Sequence, residues 1–278
     1  MSSRDRFLTV LFCLFYFLSC QSALADLILT SPPRESATTG LKQYGPLADY
    51  LSNILGQKVR YEHPRSWLHY QRDMRADKFD IVFDGPHFIS WRQARYQHTP
   101  VARLPGQLGF YVVVRNDDDK IQQLSDLVNK KMCAIAPPNL SSITILARMN
   151  DPFRNPQLVT LKGGMSGVYQ GLKQGKCRSA ILRDQFYDNK LDKEEQSRLR
   201  IIYKTQPVSN QGISVSSRVS EQDIQKIREA LTQVNDGVKP ILQRFAQKAD
   251  KMLPASAGDY AEQYKLLAGI ISGWEVKQ

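Results

Sequence analysis

Three times along this chain a short apolar strand runs into a loop with proline or serine and then into a helix: after Leu29, after Phe83 and after Ala136. That recurrence narrows the fold more than any other feature, because alternating strand and helix signals call for an α/β protein. In open α/β sheets ligands collect at such strand-to-helix loops. The first unit is Leu27-Ile28-Leu29, the loop Thr30-Ser31-Pro32-Pro33, and a helix with Leu41, Tyr44, Leu47, Leu51 and Leu55 on one face, stopped by Gly56. The second is Asp80 to Phe83, broken at Asp84-Gly85-Pro86, then a helix over His87–Tyr96. The third is Met132 to Ala136, halted by Pro137-Pro138, then a helix over Ser141–Met149 with serines placed to cap it.

Further strands are expected around Val59–Tyr61, Phe110–Val114, Leu158–Leu161, Ser179–Leu182, Ile201–Tyr203 and Ile213–Val215. Helices are expected over Trp67–Met74, Leu124–Val128 and Gly167–Gln174, and near Ile241–Lys248 and Tyr260–Ile270. Ser220 with Asp223 opens another, with Ile224, Ile227, Leu231 and Val234 on one face.

The chain starts with Arg4 and Arg6, an uncharged run from Phe7 to Leu18, and Ala23-Leu24-Ala25. This is the pattern of an export signal cleaved after Ala25, which places the mature protein in the periplasm. The apolar run, about a dozen residues, is short for a membrane span. About 250 residues remain, enough for two lobes. The net charge of +11 favours anionic partners, but the basic residues are scattered, and nucleic acid is not expected outside the cytoplasm. Cys133 and Cys177 lack metal spacing, and in an oxidising compartment they are a disulfide candidate.

Enzyme motifs are missing: the sequence has no Gly-x-Ser-x-Gly, phosphate-loop or His-Glu-x-x-His pattern. His63, His69, His87 and His98 fit no tight ligand pair, so neither a metal nor another cofactor is expected.

Four motifs, in order, resemble the periplasmic solute-binding proteins of phosphonate/phosphite ABC transporters. They are Tyr44-Gly45-Pro46-Leu47-Ala48-Asp49-Tyr50-Leu51, Asp80-Ile81-Val82-Phe83-Asp84-Gly85-Pro86, Gln123–Lys131 and Leu172–Ala180. The resemblance implies a two-lobed type II periplasmic binding protein fold with two hinge crossings, placed near 113–116 and 205–211. Lobe one is then 26–113 plus 206–278, and lobe two 114–205. It implies that the strands after Cys133 and Cys177 lie side by side, so that these cysteines bond. It implies a monomer that delivers a small anionic or zwitterionic solute to an inner-membrane permease. The alternative is a sensor that presents its solute to a membrane receptor or histidine kinase. The sequence departs from the resembled family at Leu140, a hydroxyl position, and Ile143, a glycine position, in the anion-binding loop, and at Met165, where the family has a ligand-facing histidine. A ligand with an apolar or aromatic part is therefore expected.

The candidate ligand residues sit at the strand-to-helix loops. Ser141 and Ser142 extend the N–H donors of a helix start, or simply cap it. Asp84, Gly85 and His87 face the cleft in the resembled family, and His87 donates to an anion or pairs with Asp84 or Asp80. Arg183 is placed for a bidentate anion contact, or pairs with Asp184. Ser31, Arg34 and Glu35 follow the first strand, where the resembled family also contacts its ligand; Glu35 suits a ligand amine or is a solvated loop charge. Trp67 is a cleft wall or a helix-packing residue.

Overall fold

The computed structural model describes residues 25–149, 151 and 153–276, so the expected export signal lies outside it but for Ala25. In chain order the elements are β1 Leu27–Thr30, α1 Ala37–Leu55, β2 Val59–Tyr61, α2 Trp67–Arg75, β3 Ile81–Asp84, α3 Pro86–Tyr96, β4 Thr99–Arg103 and β5 Gln107–Leu108. Then come β6 Phe110–Arg115, β7 Lys131–Ala134, α4 Leu140–Met149, β8 Gln157–Thr160, α5 Gly164–Lys173, β9 Ser179–Arg183, α6 Asp184–Lys190 and α7 Lys193–Ser197. The chain closes with β10 Leu199–Lys204, β11 Val208–Ser209, β12 Gly212–Val215, α8 Glu221–Leu231, α9 Lys239–Phe245, β13 Leu253–Pro254 and α10 Tyr264–Ile270.

The strands form two main sheets, ordered β13-β4-β12-β3-β1-β2 and β10-β6-β9-β7-β8. β1 pairs in parallel with β2 and β3, and β7 with β8 and β9, as strands joined through helices must. The chain passes between the sheets twice, and the two passages pair as a short antiparallel ribbon, β5 with β11. β6 lies wholly in the second sheet, so the first passage falls over residues 104–109, before the expected 113–116. The run Phe110–Val114 is β-prone from its first residue, and Phe110 pairs with Arg183.

The first sheet buries Leu29, Phe83, Val101 and Ile213 against Tyr44, Leu47 and Leu51 of α1 and Ile224, Ile227 and Leu231 of α8. Ser36 caps α1 by accepting from the Thr39 N–H, and Gly56 ends it at φ 63°. Two expected core positions face water. Leu41 is 59% exposed, and Val234 is 69% exposed because α8 ends at Leu231. A glycine takes the inward position beside Leu41: a Cβ on Gly40 would stand 2.7 Å from His63 Nδ1 and 2.8 Å from Tyr61 OH, so glycine leaves room for those two side chains.

A second apolar cluster runs through both sheets. It joins Val82, Phe88 and Trp91 to Val112, Ile143 and Ile181, with Leu267 and Trp274 between them. Trp91 Nε1 donates to the Trp274 carbonyl at 2.9 Å. On the far side of the second sheet, Cys133 of β7 and Cys177, just before β9, form a disulfide with Cα atoms 5.6 Å apart. Parallel pairing of Cys133 with Ala180 brings the two cysteines together.

Candidate functional site

β3 and β9 both end at the paired passages. Asp84 pairs with Gly212 at the exit of one passage, and the Asp184 N–H donates to the Gly109 carbonyl at the other. β1 runs parallel to β3, and β7 to β9, so the C-terminal ends of all four strands point toward the side of their sheets where the passages lie. Contact across the gap is direct: His87 Nε2 lies 3.0 Å from the Pro138 carbonyl oxygen, three residues before Ser141.

On the first sheet, the β1–α1 loop holds a polar cluster. The Ser31 hydroxyl is buried and lies 3.1 Å from Tyr61 OH, which is 3.0 Å from His63 Nδ1. Burial raises the pKa of Tyr44 and of Tyr61, so both stay protonated donors. Glu35 is not a solvated loop charge: Arg244 of α9 donates to its Oε2 at 2.8 Å, and Glu35 Oε1 is buried without a partner among the described residues. Arg34 Nη1 is likewise buried and unpartnered.

Asp84 does not pair with His87. It accepts from Tyr70 OH and Arg92 Nη1 and, through Oδ1, from the Gly85 N–H at 2.8 Å. Arg92 also donates to Tyr70 OH at 2.9 Å. Burial would lower the Arg92 pKa, but Tyr70 and Asp84 outweigh it and raise it. Asp80 is occupied too, accepting from the Ile28 N–H and Arg218. Asp84 thus spends its charge on the fold. Burial first, then the charges of Arg34 and Arg92, push the His87 pKa down to about 3 against the pull of the Pro138 carbonyl. Trp67 packs edge-on against Tyr70, with ring centroids 6.0 Å apart, and stays 36% exposed.

On the second sheet, the two serines are buried in the first turn of α4 and do not cap it. Asn139 is the cap: its Oδ1 accepts from the Ser141 N–H and hydroxyl, and its carbonyl from the Ser142 and Ile143 N–H groups. The Ser142 hydroxyl donates to the Ile135 carbonyl. Arg183 makes no pair with Asp184. Its Nε and Nη2 are buried and unpartnered among the described residues, and burial lowers its pKa against the pull of Asp184. The Arg183 N–H lies 3.4 Å from Met165 Sδ.

Sequence reasoning missed Tyr44, Tyr61 and Arg244 as parts of this cluster, but placed Arg34 after the first strand with Ser31 and Glu35. Arg34 had a signal, since it directly follows Pro32-Pro33 at the end of β1. Arg244 had none, because it arrives from more than two hundred residues away. No group of three or more His, Cys, Asp or Glu side chains able to hold a metal occurs among the described residues.

A family profile described as "ABC transporter, phosphonate, periplasmic substrate-binding protein" matches residues 29–260. A phosphate-import protein, PhnD, of Mycolicibacterium smegmatis is 21% identical over 226 residues, 74% of this chain and 70% of that protein. Among solved structures, PhnD1 of Prochlorococcus marinus in complex with methylphosphonate superposes with a TM-score of 0.64 at 14% identity, covering 88% of this chain and 98% of that one. XAC2383 of Xanthomonas citri, bound to ATP, gives 0.68 at 16% identity, covering 88% and 96%. These likenesses show the fold: two α/β lobes of the type II binding-protein kind.

Proposed function

Because the chain belongs to the family of periplasmic substrate-binding proteins of phosphonate ABC transporters, we propose that it captures a small phosphonate-type anion between its lobes and hands it to an inner-membrane permease. One observation carries this reading. At the C-terminal strand ends of two different sheets, Arg34 holds one and Arg183 two buried guanidinium nitrogens that no described protein group satisfies. A buried cation without a partner is costly, and an oxyanion between two such groups offsets that cost with charge-assisted, bidentate bonds.

The proposed lobes are residues 26–109 plus 206–278, and 110–205, hinged at the β5–β11 ribbon. Closure about that ribbon is the expected motion on binding. Met165, against the Arg183 backbone, supports a ligand with a small apolar substituent on its phosphorus. Export with cleavage after Ala25, and a monomer, complete the proposal. The permease is preferred to a receptor because the family serves ABC transporters.

A thermal-shift panel of alkylphosphonates, phosphate and sulfate tests the reading. A ligand at 100 times its dissociation constant adds about 2.7 kcal/mol. A phosphonate that raises the melting temperature supports it. A panel in which no phosphonate does contradicts it.

A further inference from the structure

His87 opens α3 and is only 4% exposed. A carbonyl oxygen has no hydrogen to give, so the Nε2 facing Pro138 carries the ring proton and Nδ1 carries a bare lone pair. Nδ1 is buried and has no partner among the described residues. The space beside it belongs to a glycine: a Cβ on Gly85 would stand 2.9 Å from His87 Cε1 and 3.2 Å from Nδ1. The charged groups facing the ring are Arg34, from the β1–α1 loop, and Arg92, from its own helix; the turn opposite brings the Pro138 carbonyl. Both charges are cationic and disfavour imidazolium, so the ring stays a neutral acceptor through the physiological range. A second buried acceptor without a partner, Glu35 Oε1, lies in the same loop as Arg34.

Such a site holds cations that attract an oxyanion, and lone pairs that repel every oxygen lacking a hydrogen. We propose that His87 Nδ1 accepts a hydrogen bond from a protonated oxygen of the bound anion, so that the cleft takes monoprotonated phosphate or phosphonate and rejects fully ionised oxyanions such as sulfate. This rests on the reading of the cleft as an oxyanion site. It adds that one imidazole nitrogen sets which oxyanions enter. A site built to bond a ligand hydrogen rejects the analogue without it far more strongly than a lost apolar contact would.

Calorimetric titration with inorganic phosphate, methylphosphonate and sulfate, from about pH 6 to about pH 9, tests the proposal, because His87 stays neutral there. Methylphosphonate affinity should fall about tenfold per pH unit above its second ionisation, where it loses its last hydrogen, whereas phosphate, which keeps one hydrogen as the dianion, should hold its affinity across the range. Sulfate should bind roughly a hundredfold more weakly, or not at all, when each is compared near pH 6. His87→Phe should narrow the phosphate-to-sulfate ratio by about tenfold or more. His87→Gln, which can still donate at one end and accept at the other, should keep more of it; if the Phe variant does not fold, the wild-type profile and the Gln variant decide. Sulfate binding as tightly as phosphate, or methylphosphonate affinity that stays flat or rises with pH above its second ionisation, overturns the proposal while leaving the oxyanion site intact. Failure of all three anions to bind at any pH overturns the oxyanion site itself, and the proposal with it.

Discussion

The turns at Asp84–His87 and Asn139–Ser142 share one plan, a buried strand, a proline loop and a helix start, yet they use their polar groups oppositely. In the second turn Asn139 takes the free N–H of Ser141 and its hydroxyl, and the Ser142 hydroxyl returns to Ile135. Its hydrogens are spent within the turn. In the first turn Asp84 is consumed by Tyr70 and Arg92, but His87 keeps a buried nitrogen open. The difference teaches that a helix start rich in hydroxyls is a ligand site only if nothing local claims those hydroxyls first. Asparagine, an efficient local cap, claims them here.

The largest expected effect separates the structural carboxylate from the open nitrogen. Asp84→Ala leaves Arg92 buried without its countercharge and should cost roughly 3–5 kcal/mol in urea unfolding. A loss under about 1 kcal/mol would show that Asp84 is no buried anchor.

Next comes the far side of the second sheet. Replacing Cys133 and Cys177 together by alanine should cost about 2–4 kcal/mol of stability while leaving anion affinity unchanged, because the bond closes a 44-residue separation away from the strand ends. A large loss of affinity would tie that face to the site.

Acid should act through the first turn. The unfolded chain binds a proton at His87 near pH 6.5, and the fold excludes it until about pH 3. Between those values the unfolded state holds more protons, so stability should fall with pH by about 1.4 kcal/mol per unit. His87→Phe should flatten that slope in pH-dependent denaturation. An equal slope in both proteins would place the sensitivity elsewhere.

The smallest effects separate two groups on the second sheet's side of the cleft. Arg183→Ala should weaken anion binding by about 1–3 kcal/mol, whereas Ser142→Ala should cost about 1 kcal/mol of stability and leave affinity unchanged. Calorimetry and unfolding on both variants check this. Loss of affinity at Ser142 would return that hydroxyl to the ligand.

Much of the fold was legible because its signals are local. The strand–loop–helix units after Leu29, Phe83 and Ala136 need only apolar runs, breakers and caps, and all three formed. The cysteine pair was legible as a disulfide candidate from its compartment, and the side-by-side strands that join it came from the family resemblance. Short strands such as β5, β11 and β13 were not, since they exist only through distant partners. The positions of the candidate residues in the fold were legible, but not what engages them. Ser31, His87, Ser141 and Arg183 do lie at strand ends, yet the engagement of Glu35 by Arg244, and of Asp84 by Arg92, depends on residues no local pattern reveals.

The most direct test is the crystal structure of this chain with methylphosphonate. The account predicts the phosphonate between the lobes, within hydrogen-bond reach of Arg34, Arg183 and His87 Nδ1. A phosphonate bound elsewhere would contradict it, for instance in the cavity of about 470 Å³ lined by Gln123, Arg148, Arg154 and Tyr203.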